Sequence, residues 1–212
     1  MNNLLYVMLI VMTLCFCFSS ELEAFTFSDD FNSGSLGNHW SGDIIDEVAG
    51  GLQHVVNGEL VIDNGSNEGI GDNVVYTNLG TLDKATVTGK FHYYNYNSPH
   101  NGFYIALNAT ESDLKGGNEG WNTCNKGYGI HLDYYYSNLH VRAENGVLAT
   151  TSNPISLNQY YNFELQYNLD KTLEVRFWTG STRPDSATYL YSGTDASYSG
   201  TYFAIGITDE GT

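Results

Sequence analysis

The stretch GYGIHLDYYYSNLHVRAENG, residues 127–146, decides the fold, because apolar and polar side chains alternate along it. Successive side chains of a β-strand point to opposite faces of a sheet, so alternation predicts strands that are buried on one face. Ser137-Asn138 in the middle of the stretch predicts a two-residue turn. The stretch therefore predicts a β-hairpin with one core face and one polar face that is open to solvent.

This turn predicts which residues of the hairpin lie opposite each other and which share a face. The predicted pairs are Tyr136 with Leu139, Tyr135 with His140, Asp133 with Arg142, and His131 with Glu144. The core face holds Ile130, Leu132, Tyr134, Leu139 and Val141. The polar face holds His131, Asp133, Tyr135, His140, Arg142 and Glu144.

The rest of the chain after residue 24 also predicts strands and turns. Apolar residues recur there with period two, and no stretch has the 3.6-residue apolar period of an amphipathic helix. In HVVNGELVI, Asn57-Gly58 predicts a tight hairpin turn. Further strands are predicted at 73–77, 85–96, 102–108, 127–136, 139–144, 160–168, 172–178, 188–191 and 202–207. Short strands separated by turn signals predict an all-β, antiparallel, two-sheet jelly-roll sandwich.

The first residues form an apolar leader. The run from Leu4 to Phe18 holds no charged side chain and is too short to span a bilayer comfortably. We therefore predict a signal peptide over residues 1–24 and a single domain over residues 25–212, with an uncleaved anchor as the alternative. Leader removal leaves Cys124 as the only cysteine, so the mature chain cannot form an intrachain disulfide.

The charge balance restricts the partners of the protein. Eight Lys and Arg stand against 24 Asp and Glu, which gives a formal net charge of −16. Such a chain is repelled by phosphate backbones and by anionic lipid. We expect no nucleic-acid partner, no membrane partner after leader removal, and a secreted or cell-surface location. Neutral sugars or a calcium-bridged ligand fit this charge better than anionic glycans.

Several stretches in order resemble a known superfamily. They are FSDDFNSGSLGNHWSG, VVNGELVI, NGFYIALN, GYGIHLDYYYSNLHVRAENG, YNFELQYN, LEVRFW and TYFAIGI. Together they resemble the concanavalin A-like lectin/glucanase superfamily, including its laminin-G-like members, over residues 25–212. The resemblance implies a jelly roll and a carbohydrate partner. It also implies a closing strand after 206–208, so we expect the domain to be truncated at its C-terminus.

Asp29 and Asp30 are candidate calcium ligands, since carboxylate oxygens are the ligands that Ca²⁺ prefers. Two adjacent Asp supply too few of the six to eight oxygens that the ion takes. The alternative is that both are structural turn residues. No cofactor is therefore required by the sequence, and a structural calcium ion is the one option it raises.

The polar face of the hairpin is the candidate ligand site. Aromatic rings stack on sugar faces while polar side chains bind the hydroxyls. The predicted ligand-binding residues are Trp121, Tyr128, His131, Asp133, Tyr135, His140, Arg142 and Glu144. Trp121 lies in the long interruption 109–126, and Trp178 is a second stacking candidate. Core packing is the alternative for any one aromatic, and a solvated face with cross-strand charge pairs is the alternative for the whole set.

An enzyme is the second functional hypothesis, with His131, Tyr135, His140 and Arg142 as acid, base and carboxylate-steadying groups of a polysaccharide lyase or glycoside hydrolase. Laminarinase-type members carry E-x-D-x-x-E on one strand, which this chain lacks. Alginate-lyase-type motifs match only in fragments, such as Arg142-Ala143-Glu144 and Gly129-Ile130-His131. We therefore assign no catalytic residue and favour a lectin-like domain. A structural extracellular module without ligand is the third hypothesis.

Overall fold

The computed structural model of the protein describes residues 29–30, 40–44, 52–56, 59–63, 71–92, 101–111, 114, 127–133, 136–143, 146–193 and 200–209. The strands in these ranges are β1 (Ser41–Ile44), β2 (Leu52–Val56), β3 (Glu59–Asp63), β4 (Gly71–Asn78), β5 (Ala85–His92), β6 (Asn101–Ala109), β7 (Tyr128–Asp133), β8 (Asn138–Ala143), β9 (Gly146–Ser152), β10 (Tyr160–Tyr167), β11 (Leu173–Trp178), β12 (Tyr189–Tyr191) and β13 (Tyr202–Asp209). Within the same ranges, no helix has the length and apolar character needed to cross a membrane. The predicted leader lies outside the described residues.

The described strands form two main sheets and a separate hairpin. The larger sheet has the order β1-β4-β13-β6-β7-β8-β9, and the smaller sheet has the order β12-β11-β10-β5. β2 and β3 form the hairpin, and all pairs are antiparallel. The predicted all-β, two-sheet antiparallel fold is confirmed.

The core lies between the two sheets and includes alternate residues of β6, β7, β8, β10 and β11. Ile105, Ile130 and Val141 lie side by side across β6, β7 and β8 and are at most 1 % exposed. The smaller sheet contributes Leu165 and Val175, which are paired across β10 and β11 and are 0 % exposed. Each such side chain stabilises the fold by about 1.5–3 kcal/mol relative to an exposed one.

The predicted Asn57-Gly58 hairpin is confirmed, because Val56 pairs with Glu59 across the two intervening residues. Two strands were not predicted from the sequence, namely β1 and β9. The strand predicted over 85–96 is described as far as His92. Most of the long interruption 109–126 lies outside the described residues.

The predicted turn of the β7–β8 hairpin was wrong. His131 pairs with His140 instead of Glu144, and Asp133 pairs with Asn138, so residues 134–137 connect the strands. Oδ1 of Asp133 accepts a hydrogen bond from the Tyr136 N–H (3.0 Å), and Ser137 has a φ of 52°, which together close this longer turn. The register differs by an even number of residues, so the assignment of side chains to the two faces is unchanged.

The last described strand, β13, lies inside the larger sheet. It pairs with β4 on one side and with β6 on the other, with a register irregularity between Tyr202 and Ala204. Its backbone therefore has partners along both edges. The closing strand expected from the family resemblance stays a prediction.

Trp40 closes one border of the core, and Asp29 fixes its position. The indole N–H of Trp40 donates to Oδ2 of Asp29 (2.8 Å), and the ring lies 6.1 Å from the ring of Phe203. This contact gives one carboxylate oxygen of Asp29 a structural partner, and calcium binding by Asp29 and Asp30 stays a prediction. Among the described residues, no group of three or more His, Cys, Asp or Glu is placed to hold a metal ion.

We expect Leu165→Ala to lower the free energy of unfolding by about 2–5 kcal/mol, because it leaves a cavity between the sheets. Leu169→Ala is the matched control, since Leu169 is 69 % exposed and its loss changes stability by less than about 0.5 kcal/mol. Urea unfolding followed by tryptophan fluorescence measures both. Equal losses for the two variants would contradict the position of the core.

Candidate functional site

The outer face of the larger sheet, which points away from the core, carries a row of side chains across four strands. Tyr104 on β6, His131 on β7, His140 on β8 and Thr150 on β9 are consecutive partners in register. The two imidazole rings lie 5.9 Å apart with an angle of 26° between their planes. Gly206 leaves room for the Tyr104 ring, which a Cβ at that position would strike. The register thus places a phenol, two imidazoles and a hydroxyl in one line.

Further polar side chains lie on either side of this row. Arg142 pairs with Gly129 on one side, and Asp133 pairs with Asn138 on the other. Asn138 pairs in turn with Ser152, the last residue of β9. We call His131, Asp133, His140 and Arg142 the outer-face cluster. The sequence predicted that these four share a face, and the register confirms this.

The outer-face cluster is buried, which corrects the prediction of a face open to solvent. His131 and Arg142 are 2 % exposed, and Asp133 and His140 are 5 % exposed. The same face of the sheet also carries an apolar cluster around Tyr76, Tyr104 and Leu114, in which each buried residue is at most 7 % exposed. Alternation identifies the face of a side chain but not whether other parts of the chain cover it.

Asp133 and His140 connect the cluster to its surroundings. Nδ1 of His140 lies 2.9 Å from Oγ1 of Thr150, and Nε2 lies 3.7 Å from Oδ2 of Asp133. The other oxygen of Asp133 accepts the hydrogen bond from the Tyr136 N–H. The imidazole is therefore oriented by a hydroxyl on one side and a carboxylate on the other, an arrangement that can bind a polar ligand or hold a proton.

The environment separates the protonation states of these groups. Burial and the positive charge of Arg142 lower the pKa of His131 from 6.5 to about 3, against the opposing effect of Asp133. Burial alone would raise the pKa of Asp133, but the contacts with His140 and the Tyr136 N–H outweigh it and hold this pKa below its usual value. At neutral pH His131 is uncharged and Asp133 is ionised.

The remaining predicted site residues fall in different places. Tyr128 lies in the core, where its ring is 5.2 Å from that of Tyr167 and its hydroxyl donates to the Lys171 carbonyl (2.8 Å). Core packing, the alternative stated for each aromatic, therefore describes Tyr128. Trp121, Tyr135 and Glu144 lie outside the described residues.

Sequence reasoning did not select Tyr104, Thr150 or Tyr136 as site residues. Tyr104 had a detectable signal, because it is the polar-tipped residue between the apolar Phe103 and Ile105. Thr150 had none, since β9 itself was not predicted. Tyr136 was assigned to the hairpin, but the structure places it in the turn with 55 % of its surface exposed.

The outer face of the smaller sheet carries a second charged cluster that is internally paired. Glu164 accepts hydrogen bonds from Arg176 (3.0 Å) and from two nitrogens of Arg183 (2.8 and 2.5 Å). Arg176 also bonds Glu174 at 2.6 Å. Two carboxylates thus balance two guanidinium groups, which fastens Arg183 in the β11–β12 connection to the sheet. This cluster has the composition of a structural network.

Comparisons with protein-family models and with curated proteins find no match. Solved structures do match. Lectin UEA-II in complex with galactose superposes with a TM-score of 0.52 at 10 % identity, over 88 % of this chain and 90 % of that chain. The VIP36 exoplasmic/lumenal domain in its Ca²⁺/Man3GlcNAc-bound form gives 0.53 at 9 % identity, over 83 % and 78 %. The potassium-bound carbohydrate recognition domain of Emp46p gives 0.50 at 11 % identity, over 82 % of each chain.

These likenesses and the two-sheet topology show that the protein has the concanavalin A-like jelly-roll fold, which it shares with lectins. The resemblance predicted from the sequence is confirmed at the level of the fold. The laminin-G-like part of that resemblance stays a prediction. At identities near 10 % the likeness shows the architecture alone, because proteins that share a fold differ in the residues of their sites.

We expect the free energy of unfolding to fall by about 2 kcal/mol between pH 6.5 and pH 5, because His131 takes a proton in the unfolded chain but not in the folded one. This stabilising term is present above pH 6.5 and is lost as pH falls toward 3. His131→Gln removes it and flattens the dependence. Urea unfolding at pH 7 and pH 5 measures the slope, with His92→Gln on the smaller sheet as control. Equal slopes for wild type and His131→Gln would contradict the assignment.

Proposed function

We propose that this protein is a secreted, lectin-like domain that binds a polysaccharide or glycan on the outer face of its larger sheet. The observation that carries the proposal is the outer-face cluster itself. The apolar core between the two sheets holds this fold together. Two imidazoles, a carboxylate and a guanidinium on the opposite face are not needed for that core. Ionisable groups gathered at one place are a common feature of functional sites, so their concentration there favours a ligand-related role.

The fold supports the carbohydrate class. Lectin UEA-II is described in complex with galactose and the VIP36 domain in complex with Man3GlcNAc, and both share this jelly roll. The net charge of −16 favours neutral sugars over anionic ones. We propose that Trp121, Tyr135 and Glu144 complete the site, with the side chain of Trp121 stacking on a sugar ring. We propose that the leader 1–24 directs the chain to a secreted or cell-surface location and is then removed.

We also propose that the domain can bind a structural calcium ion. One solved relative of this fold is described in a calcium-bound form and another in a potassium-bound form. In this chain Asp29 uses one carboxylate oxygen for Trp40, which leaves Asp30, an exposed residue, as the other candidate ligand. Calcium dependence of glycan binding tests the ion directly.

A polysaccharide lyase is the second candidate function, and the orientation of His140 favours it. An imidazole held between Thr150 and Asp133 is suited to proton transfer, and Tyr104 stands in the same row as a second proton-transfer group. β-Elimination from a uronate polymer needs such an acid and base together with a cation, here Arg142. Appearance of absorbance from unsaturated chain ends tests it, and a flat trace across pH and calcium concentrations would contradict the lyase.

We expect the mature domain to bind members of a glycan array, and Trp121→Ala to weaken the strongest interaction by about tenfold, because stacking contributes about 0.5–1.5 kcal/mol beyond the area that it buries. Trp178→Ala is the matched control, since Trp178 lies on the smaller sheet beside Asn162. Isothermal titration with the best array sugar measures both. Weakening by Trp178→Ala alone would move the site to the other sheet, and no binding by the wild type would favour the structural module.

A further inference from the structure

We infer that the exposed ring of Tyr136 is the stacking platform for a neutral sugar residue, and that Asp133 is the positioning residue that holds the platform in place. This inference rests on the proposed carbohydrate-binding function. It adds a contact residue and a positioning residue that neither the sequence nor the fold comparisons assign.

The turn that carries Tyr136 is held by hydrogen bonds on both sides. The Tyr136 N–H donates to Oδ1 of Asp133 (3.0 Å), and the N–H of Asn153 donates to the carbonyl of Ser137 (2.8 Å). Ser137 adopts a φ of 52°, a left-handed conformation that is uncommon for a residue with a side chain. The backbone under the ring is therefore fixed before any ligand arrives, which lowers the entropy lost on binding.

Asp133 connects this exposed turn to the buried cluster. Its side chain is 7 % exposed, with Oδ1 directed to the Tyr136 N–H and Oδ2 at 3.7 Å from Nε2 of His140. Thr150 orients His140, and His140 in turn holds the Asp133 carboxylate from the side of the buried cluster. The buried cluster thereby supports the turn, which explains how side chains that are only a few per cent exposed contribute to a surface site.

The side chains near the platform indicate the ligand class. Asn138 and Ser152 are partners in register on the outer face next to Asp133, and Ser137 and Asn153 flank them in sequence. All four are neutral hydroxyl or amide groups, which donate to and accept from sugar hydroxyls. An exposed aromatic beside neutral polar groups on a strongly acidic protein favours an uncharged hexose over a uronate.

Tyr160 is a second exposed tyrosine, and it lies on the smaller sheet, away from the β7–β8 turn. It is 41 % exposed, but its ring lies 4.4 Å from the ring of His92 and 4.5 Å from Nζ of Lys90. These contacts place the Tyr160 ring among residues of the smaller sheet, outside the proposed site. Tyr160 is therefore the matched control for Tyr136.

The test measures affinity for the best neutral glycan of the array by isothermal titration, and for a uronate oligomer in parallel. Expected results are about tenfold or greater weakening with Tyr136→Ala, less than threefold change with Tyr136→Phe, no change with Tyr160→Ala, and weaker binding of the uronate. If the wild type binds but Tyr136→Ala is unchanged, or the uronate binds more tightly, this inference is overturned while the proposed function stands. If the wild type binds no sugar, both are overturned.

Asp133 is tested without reliance on a ligand. We expect Asp133→Ala to speed hydrogen exchange at the Tyr136 amide, whereas Asp133→Asn keeps an oxygen at the Oδ1 position and retains both slow exchange and most of the affinity. Slow exchange in Asp133→Ala would overturn the positioning role. Should Asp133→Ala fail to fold, fast exchange at Tyr136 or lost affinity in a folded Asp133→Asn overturns it equally, and the Tyr136 variants remain informative.

Discussion

The structure depends on the alternation of side chains along β6, β7 and β8. Phe103, Ile105 and Leu107 point between the sheets, and this leaves Tyr104 and its neighbours no place except the opposite face. The same parity holds on β7, where Ile130 and Leu132 fill the core. A slip of one residue in any of these strands would send the charged set into the core and the apolar set out of it. Apolar burial between the sheets therefore fixes the positions of the polar cluster as well.

The two charged clusters of the protein use burial differently. On the smaller sheet, Glu164 is shared by two guanidinium groups at hydrogen-bond distance, so the cost of removing the charges from water is offset within the cluster. On the larger sheet, His131 is kept neutral beside Arg142, and the ionised Asp133 divides its two oxygens between His140 and a backbone N–H. The first arrangement is typical of a structural network. The second keeps several groups with unlike protonation states next to each other, which is more typical of a ligand site.

The sequence predicted the fold where local patterns and packing agree. Alternation predicted most strands of both sheets, and Asn57-Gly58 predicted its hairpin because positive φ at both turn positions favours these residue types. β9 escaped prediction since GVLATTS has neither charge alternation nor aromatic residues, and its strand character comes from pairing with β8. The predicted β7–β8 register was wrong because a two-residue turn at Ser137-Asn138 competes with a longer turn. Asp133 closes this longer turn by a side-chain hydrogen bond. The sequence predicted the shared face of the outer-face cluster but not its burial, because alternation identifies a face without showing how far that face is covered.

The wrong register and the missed residue Tyr136 have one cause. A carboxylate that accepts a backbone N–H three residues ahead lengthens the turn, and the same bond holds Tyr136 in the turn with its side chain exposed. The observed register differs from the predicted one by an even number of residues, so each side chain stays on its predicted face and only the turn changes. The prediction of the outer-face cluster was therefore unaffected, but the exposed position of Tyr136 in the turn was missed. Asp133 therefore acts at two levels of the structure. Oδ1 closes the turn of the hairpin, and Oδ2 interacts with His140 in the cluster. A substitution at Asp133 separates these two roles only if it retains an oxygen at the Oδ1 position.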